Sequence, residues 1–115
     1  MSMLLKSRRL DDVVILDLSG RVTIGEGASI LRETLKKLLA AGDRKFLVNL
    51  ADVDYIDSSG LGEFVTAFTS VRHENGQLKL LNLTRRVRDL MQITKLLTVF
   101  ESFDNETEAL KSMRS

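Results

Sequence analysis

The sequence has no cysteine, and this absence removes whole classes of site. Without cysteine among its 115 residues, the chain can form neither a disulfide framework nor a thiolate metal site. His73 is the single histidine, so a conventional zinc site would need carboxylate ligands, which show no visible clustering in the sequence. Proline is absent too, and no Gly/Ser-rich linker or repeat interrupts the chain. We therefore expect residues 1–115 to form one domain.

Long apolar runs and an excess of one charge are also missing. No run approaches the ~20 residues that a membrane span needs, and residues 1–12 are too poor in apolar residues for a signal peptide. We therefore expect a cytoplasmic protein. The 17 basic and 16 acidic residues give a net charge of +1, which provides no general attraction to nucleic acid or to an anionic membrane. Apolar residues make up 43% of the chain, enough for one core.

What the sequence does contain is an alternation of strand and helix patterns. The predicted strands are residues 3–9, 13–18, 46–50 and 78–83, with a short extended piece at 98–100. The predicted helices cover residues 25–41, a segment after residue 60 that ends near 75–76, a segment after Thr84 and a segment after Asn105. This order favours an α/β fold: a four- to five-stranded mixed, mostly parallel sheet with an antiparallel first hairpin and about four helices.

Turn and capping residues predict where several of these elements end. Ser19-Gly20 should close the second strand, and Ala51–Asp57 should form a loop after the third. Gly42 occupies the position of a left-handed C-terminal cap, while Thr84 and Asn105 are typical N-caps.

The most informative stretch is Asp57-Ser58-Ser59-Gly60-Leu61-Gly62, which we call the DSSGLG segment. It lies between a predicted buried strand and a helix, at the sheet edge where ligands and partners of open α/β sheets bind. A serine there is accessible to solvent and can accept from free backbone N–H groups. On spacing alone, however, the segment indicates no more than an ordinary helix cap. Its two glycines could let a partner backbone come close, or could permit tight packing against the sheet.

Enzymatic interpretations of the serines are disfavoured. The nucleophile motif G-x-S-x-G needs a glycine two residues before the serine, and neither Ser58 nor Ser59 has one. His73 falls about four turns along the same predicted helix, more than ~20 Å away at 1.5 Å per residue, so it cannot complete a triad.

Two other patterns carry less information. Gly25-Glu26-Gly27 follows a strand but lacks a full phosphate-loop motif, and Thr23 with Glu26 has the spacing of a capping box. Arg85, Arg86 and Arg88 form a basic cluster that is either a solvated face or a docking patch for an acidic partner. Asp89 follows directly and no aromatic residue is near, so the cluster does not indicate nucleic-acid binding.

Taken together, these segments resemble the STAS family (sulfate transporter and anti-sigma factor antagonist domains) from end to end. The resemblance is greatest to the small free-standing bacterial members that antagonise anti-sigma factors. The matching pieces are Val14–Gly20, the leucine-spaced first helix, Phe46–Leu50, Val53–Ile56, the DSSGLG segment, Leu78–Leu80 and Val87–Met91.

The resemblance implies a non-enzymatic partner switch in transcription control, without a cofactor or a metal. The unphosphorylated protein would bind an anti-sigma factor that is also a serine kinase of the GHKL type, and so release a sigma factor. The kinase would phosphorylate Ser58, the serine directly after the aspartate, and a metal-dependent serine phosphatase would restore binding. Ser59 is the less favoured acceptor. The implied partner-binding residues are Thr23, Ile24, Asp57, Ser58, Ser59, Gly60, Leu61 and Gly62.

Two alternatives stay open. Within the same family, the chain could instead be a scaffold or adaptor subunit of a stress-signalling or lipid-transport complex. The other alternative is an enzyme or nucleotide hydrolase. The absence of a usable base, a metal cluster and a phosphate loop from the sequence argues against it. Many family members have an acidic residue near position 23, where this chain has Thr23, and this difference leaves the partner's identity open. With no large apolar stripe in the sequence, we expect a monomer.

Overall fold

Five strands and four helices make up the part of the chain that the computed structural model describes, residues 3–23 and 26–114. In chain order the elements are β1 (Leu4–Leu10), β2 (Val13–Val22), α1 (Glu26–Ala40), β3 (Lys45–Ile56), α2 (Ser58–His73), β4 (Gln77–Leu81), α3 (Arg85–Ile93), β5 (Ser102–Phe103) and α4 (Glu106–Ser112). The strands form a single sheet in the order β1-β2-β3-β4-β5. β1 pairs antiparallel with β2, and every other pairing is parallel. The predicted fold class is confirmed.

The sheet is buried on both faces, but unequally. Parallel connections between neighbouring strands are right-handed, so the crossover helices α1, α2 and α3 pack on the same face of the sheet. Alternate residues of β2 and β3, such as Leu16 and Val48, form the larger core with these helices. The residues between them, such as Ile15 and Leu47, form a smaller core with α4. Burial on both faces explains why these strands are continuous apolar runs rather than alternating ones.

The strand β2 does not end at Ser19-Gly20, and this prediction was wrong. Gly20 has φ +92°, and the pairing with β3 shifts register between Asp17 and Ser19 and again between Gly20 and Arg21. At each shift β3 advances by one residue more than β2, so the irregularities are β-bulges of β3. Glycine at position 20 tolerates the left-handed backbone opposite them, and the turn signal therefore marks an irregular position within β2 rather than its end.

The predicted loop at Ala51–Asp57 was wrong for the same reason. Because β2 continues to Val22, it provides a partner for the extended chain beyond Leu50, and Val22 pairs with Ile56 at the far end. Residues 51–56 are consequently the last half of β3, and only Asp57 separates that strand from α2.

Near the C-terminus, the short strand lies later than predicted. Residues 98–100 form turns, while β5 is Ser102–Phe103. The three predicted caps are confirmed. Gly42 has φ +104°, as a left-handed C-terminal cap requires. The Thr84 side chain accepts from the N–H of Val87, and the Asn105 side chain accepts from the N–H of Glu108. The predicted capping box of Thr23 with Glu26 and the Gly25-Glu26-Gly27 motif lie partly outside the described residues.

A polar ladder crosses four strands on the face that α4 covers. Arg8 on β1 bonds Asp17 on β2 through Nε and Oδ2 at 2.7 Å, and also bonds Glu106 of α4. Asn49 on β3 donates to Asp17 Oδ1 at 2.8 Å, and Asn82, just beyond β4, donates to Asn49 Oδ1 at 3.2 Å. Partial burial raises the pKa of Asp17, but the hydrogen bonds from Arg8 and Asn49 and the charge of Arg8 outweigh it, so the pKa lies below its ordinary value.

Replacement of this carboxylate should make the protein less stable, in a way that depends on pH. We expect Asp17→Asn to lower the free energy of unfolding by about 1 kcal/mol at pH 7, because the ion pair with Arg8 is lost. Since the folded pKa is depressed, the wild-type advantage is fully present above the unfolded pKa of about 4 and disappears as the pH falls below it. Urea unfolding at several pH values measures this. Asp89→Asn, at an exposed position, is the control, and a difference that persists at pH 2 would contradict the explanation.

Candidate functional site

The DSSGLG segment lies at the carboxyl edge of the sheet, where β3 leads into α2 after a single residue. Asp57 is the N-cap of α2: its backbone is extended, and its Oδ1 accepts from the N–H of Gly60 at 2.8 Å. The N–H of Leu61 donates to the carbonyl of Asp57 at 2.9 Å. Both interactions tie Asp57 to the first turn of α2. The cap is therefore the aspartate, and Ser58 is the first helical residue.

Ser58 and Ser59 are both exposed on this first turn. Neither hydroxyl has a hydrogen-bond partner among residues 3–23 and 26–114, so neither is held by the fold. No acidic residue follows in the first turn of α2, where backbone N–H groups and the helix dipole favour negative charge. The position is thus open to a visiting protein and electrostatically suited to a phosphate.

The two glycines of the segment have different surroundings. A Cβ atom added to Gly60 would stand 2.1 Å from the carbonyl oxygen of Val22 and 3.2 Å from Cγ1 of Ile56. A Cβ atom added to Gly62 would meet nothing within 4 Å. Of the two roles considered for the glycines, tight packing therefore applies to Gly60, whereas Gly62 leaves open surface beside Ser58.

The carbonyl of Val22 connects the two segments that were predicted to form the site, the end of β2 and the DSSGLG segment. It lies against Gly60 and accepts from the N–H of Asp57 at 3.4 Å. Val22 is the last residue of β2, and half-buried Thr23 follows it directly. The structure thus brings Thr23 and the start of α2 to one place, while Ile24 lies outside the described residues.

Leu61 differs from its neighbours in the segment because its side chain is only 2% exposed and packs in the core. The role of Leu61 in partner binding stays a prediction. Its buried side chain offers no surface that a partner could contact. The exposed residues of the first turns are Ser58, Ser59 and Gly62, with Asp57 half-buried.

One feature of this edge was missed by the sequence analysis. Arg21 and Tyr55 face each other across the extended ends of β2 and β3, and the Arg21 guanidinium lies 4.5 Å from the centre of the Tyr55 ring. Such stacking is a cation–π interaction. Asp52 and Asp54 are exposed on the same stretch of β3. Because the sequence analysis ended both strands too early, nothing in it could pair these residues.

The other candidate residues lie outside the DSSGLG segment. His73 is the last residue of α2, so it is far from Ser58 in the same helix, as predicted. Arg85 and Arg86 are exposed at the start of α3, and Arg88 lies 3.7 Å from Asp104 in an exposed ion pair. Their suggested docking role stays a prediction. Within the described ranges there is no cluster of three potential metal ligands, and no helix suited to crossing a membrane.

These features define an α/β domain that presents the start of a helix at the carboxyl edge of a mostly parallel sheet. A family model described as the STAS domain matches residues 5–109. The chain belongs to this family.

Relatives and solved structures agree with this assignment. The anti-sigma-B factor antagonist of Bacillus subtilis is 42% identical over 74 residues, which cover 64% of this chain and 67% of the relative. The crystal structure of a proposed anti-sigma factor antagonist from Thermotoga maritima superposes with a TM-score of 0.88, with 28% identity and coverage of 96% and 95% of the two chains. The phosphorylated form of the Bacillus cell fate determinant SpoIIAA superposes with a TM-score of 0.76, covering 96% and 100%; its 19% identity shows the fold alone.

The two glycines provide a matched pair of substitutions. Gly60→Ala should lower the free energy of unfolding by about 2 kcal/mol, because its Cβ cannot avoid the backbone of Val22. Gly62→Ala should raise it by about 0.5–1 kcal/mol, because alanine favours the helix and meets open space. Thermal and urea unfolding of both variants test this. Equal effects of the two substitutions would show that the approach to Val22 does not constrain α2.

Proposed function

We propose that this chain is an anti-sigma factor antagonist whose binding is switched off by phosphorylation of Ser58. In the unphosphorylated state it binds an anti-sigma factor that is also a GHKL-type serine kinase, and a sigma factor is released. A metal-dependent serine phosphatase returns the protein to its binding state. The relatives named as anti-sigma factor antagonists support the role, and the exposure of Ser58 at the start of α2 supports the switch.

The observation that carries the proposal is that Asp57 forms the cap of α2, whereas the Ser58 hydroxyl has no hydrogen-bond partner among the described residues. The cap that fixes the first turn is made by Asp57 and Gly60, so a change at Ser58 removes no hydrogen bond of the helix. A phosphate adds about −1.5 to −2 charges and three acceptor oxygens at pH 7. The first-turn amides and the helix dipole accommodate these charges without rearrangement of the chain.

The consequence of phosphorylation therefore falls on the interface. The exposed surface around Ser58 includes the small residues Ser59 and Gly62, on which a partner backbone can approach closely. A doubly charged group at the centre of that surface adds bulk and must lose its hydration when the partner docks. A loss of about 3 kcal/mol would weaken binding roughly a hundredfold. Asp57 needs no catalytic role here, since the kinase would supply the chemistry.

Phosphate transfer distinguishes the two serines of the segment. Incubated with the candidate anti-sigma kinase and ATP, the wild-type protein and Ser59→Ala should each gain one phosphate, whereas Ser58→Ala should gain none, as read by intact mass. Ser59→Ala is the matched control because it removes the same hydroxyl from the neighbouring exposed position. Equal transfer to Ser58→Ala would place the acceptor elsewhere. Stable binding without any transfer would favour the scaffold or adaptor role.

A charged substitution at Ser58 distinguishes an effect on partner binding from an effect on stability. We expect Ser58→Asp to keep the melting temperature of the wild-type protein within about 2 °C, because the hydroxyl has no hydrogen-bond partner among the described residues and a carboxylate suits the helix start. Its affinity for the anti-sigma factor should fall at least about tenfold, measured by calorimetry. A large fall in melting temperature would instead show that Ser58 is a structural residue.

A further inference from the structure

The outer edge of β4 is only half covered, because β5 is two residues long. β5 pairs Ser102 with Leu80 and Phe103 with Leu81, and the pairing extends no further towards the start of β4. The N–H of Leu80 donates to the carbonyl of Glu101 at 2.9 Å, and the N–H of Asn82 donates to that of Phe103 at 2.8 Å. These bonds show which backbone N–H groups in and just beyond β4 point away from β3.

Successive residues of a strand direct their N–H and C=O groups to opposite sides. The N–H of Gln77 donates to the carbonyl of Arg44 at 2.7 Å, on the side of β3. Leu78, like Leu80, must therefore direct both groups outward. No backbone partner for them occurs among the described residues. Leu78 is only 4% exposed, and backbone groups at such positions almost always have a hydrogen-bond partner.

Leu78 lines a cavity of about 460 Å³, whose wall also includes Glu101, the residue bonded to Leu80 at this outer edge. Phe68, Leu78 and Val99 are apolar residues of its wall, and Val99 is 42% exposed. The same wall contains Arg72, Lys79 and Glu101.

Among the described residues, one positive charge in the cavity, that of Arg72, has no partner of opposite sign. Lys79 is paired with Glu101 at 3.3 Å and also donates to Ser112, so their charges compensate each other. The guanidinium of Arg72 lies 5.8 Å from the centre of the Phe68 ring, and no carboxylate among the described residues lies within ion-pair distance of it. The cavity thus combines an unpaired strand edge, an apolar wall and an uncompensated cation.

We propose that this cavity binds an extended peptide segment of a partner protein, which adds to the sheet beside Gln77–Lys79 and places an acidic side chain at Arg72. A peptide in strand conformation supplies both the donor and the acceptor that Leu78 lacks, and this mode of recognition is β-strand addition. The open edge is three residues, about 10 Å, long, which suits a segment of three to five residues.

A second copy of this chain does not fit as the occupant. Its own exposed edge, β1, contains no acidic residue, so it offers no carboxylate to Arg72. The proposal is also independent of the partner switch: Arg72 is 14 residues from Ser58 in α2, about 21 Å at 1.5 Å per residue, so both sites can be occupied together.

The test is an NMR titration of the ¹⁵N-labelled full chain with acetyl-Thr-Val-Glu-Val-Thr-amide. We expect shifts confined to the cavity, at Phe68, Arg72 and residues 75–79 and 99–101, together with slowed exchange of the Leu78 amide. The same peptide with its three central amides N-methylated keeps every side chain but loses the three central N–H donors, and it should bind at least about tenfold more weakly. No shifts at millimolar peptide, or equal binding of the methylated peptide, would overturn the proposal.

Charge reversal tests the contribution of Arg72. Arg72→Glu should weaken binding of the Glu peptide about tenfold and reverse the preference over a Lys-containing peptide. Arg86→Glu, at an exposed arginine far from the cavity, is the control and should leave the affinity unchanged. If free N-acetylglutamate shifted the same resonances as strongly as the peptide, the cavity would be a site for small carboxylates, and strand addition would be wrong. Both results are read without the kinase, so they do not depend on the function of Ser58.

Discussion

The close approach of Gly60 to the carbonyl of Val22 is the constraint on which the candidate site depends. It fixes the start of α2 against the end of β2. Because only Asp57 separates β3 from α2, the helix has little freedom to adjust, and the exposed serines take a fixed position beside Thr23. A single backbone contact thus combines two distant parts of the sequence into one surface. No side chain of Gly60 or Val22 takes part in this contact, so the sequence indicates it only through the glycine at position 60, for which tight packing was one of two possible roles.

The fold class could be predicted because each element carries its own local signal. The apolar runs of β2 and β3 match strands buried on both faces, and the capping residues Thr84 and Asn105 mark the starts of α3 and α4. The strand ends could not be predicted, because they depend on pairing between chain segments. Whether β2 ends at Gly20 or continues past it is decided by the availability of Asp52 to Ile56 as pairing partners.

The site was predicted in location but not in detail. Proximity of the DSSGLG segment to Thr23 follows from the parallel topology, since the carboxyl ends of neighbouring strands meet at one edge. The roles within the segment were predicted only in part. The helical spacing of Leu61 and Phe64 already places Leu61 on the apolar face of α2. That Asp57 is the cap and Gly60 the packing glycine depends on how closely the start of α2 approaches Val22, which only the folded chain determines.

The irregular pairing beside Gly20 also has a consequence for the length of β2. Side chains alternate between the two faces of a strand, so removal of one residue between Asp17 and Val22 would exchange the faces beyond it. Arg21 would then point into the helical layer, and Val22 would point towards solvent. A change in the length of this short stretch would therefore remove Val22 from the core and its carbonyl from Gly60, so the length of β2 is itself part of what forms the site.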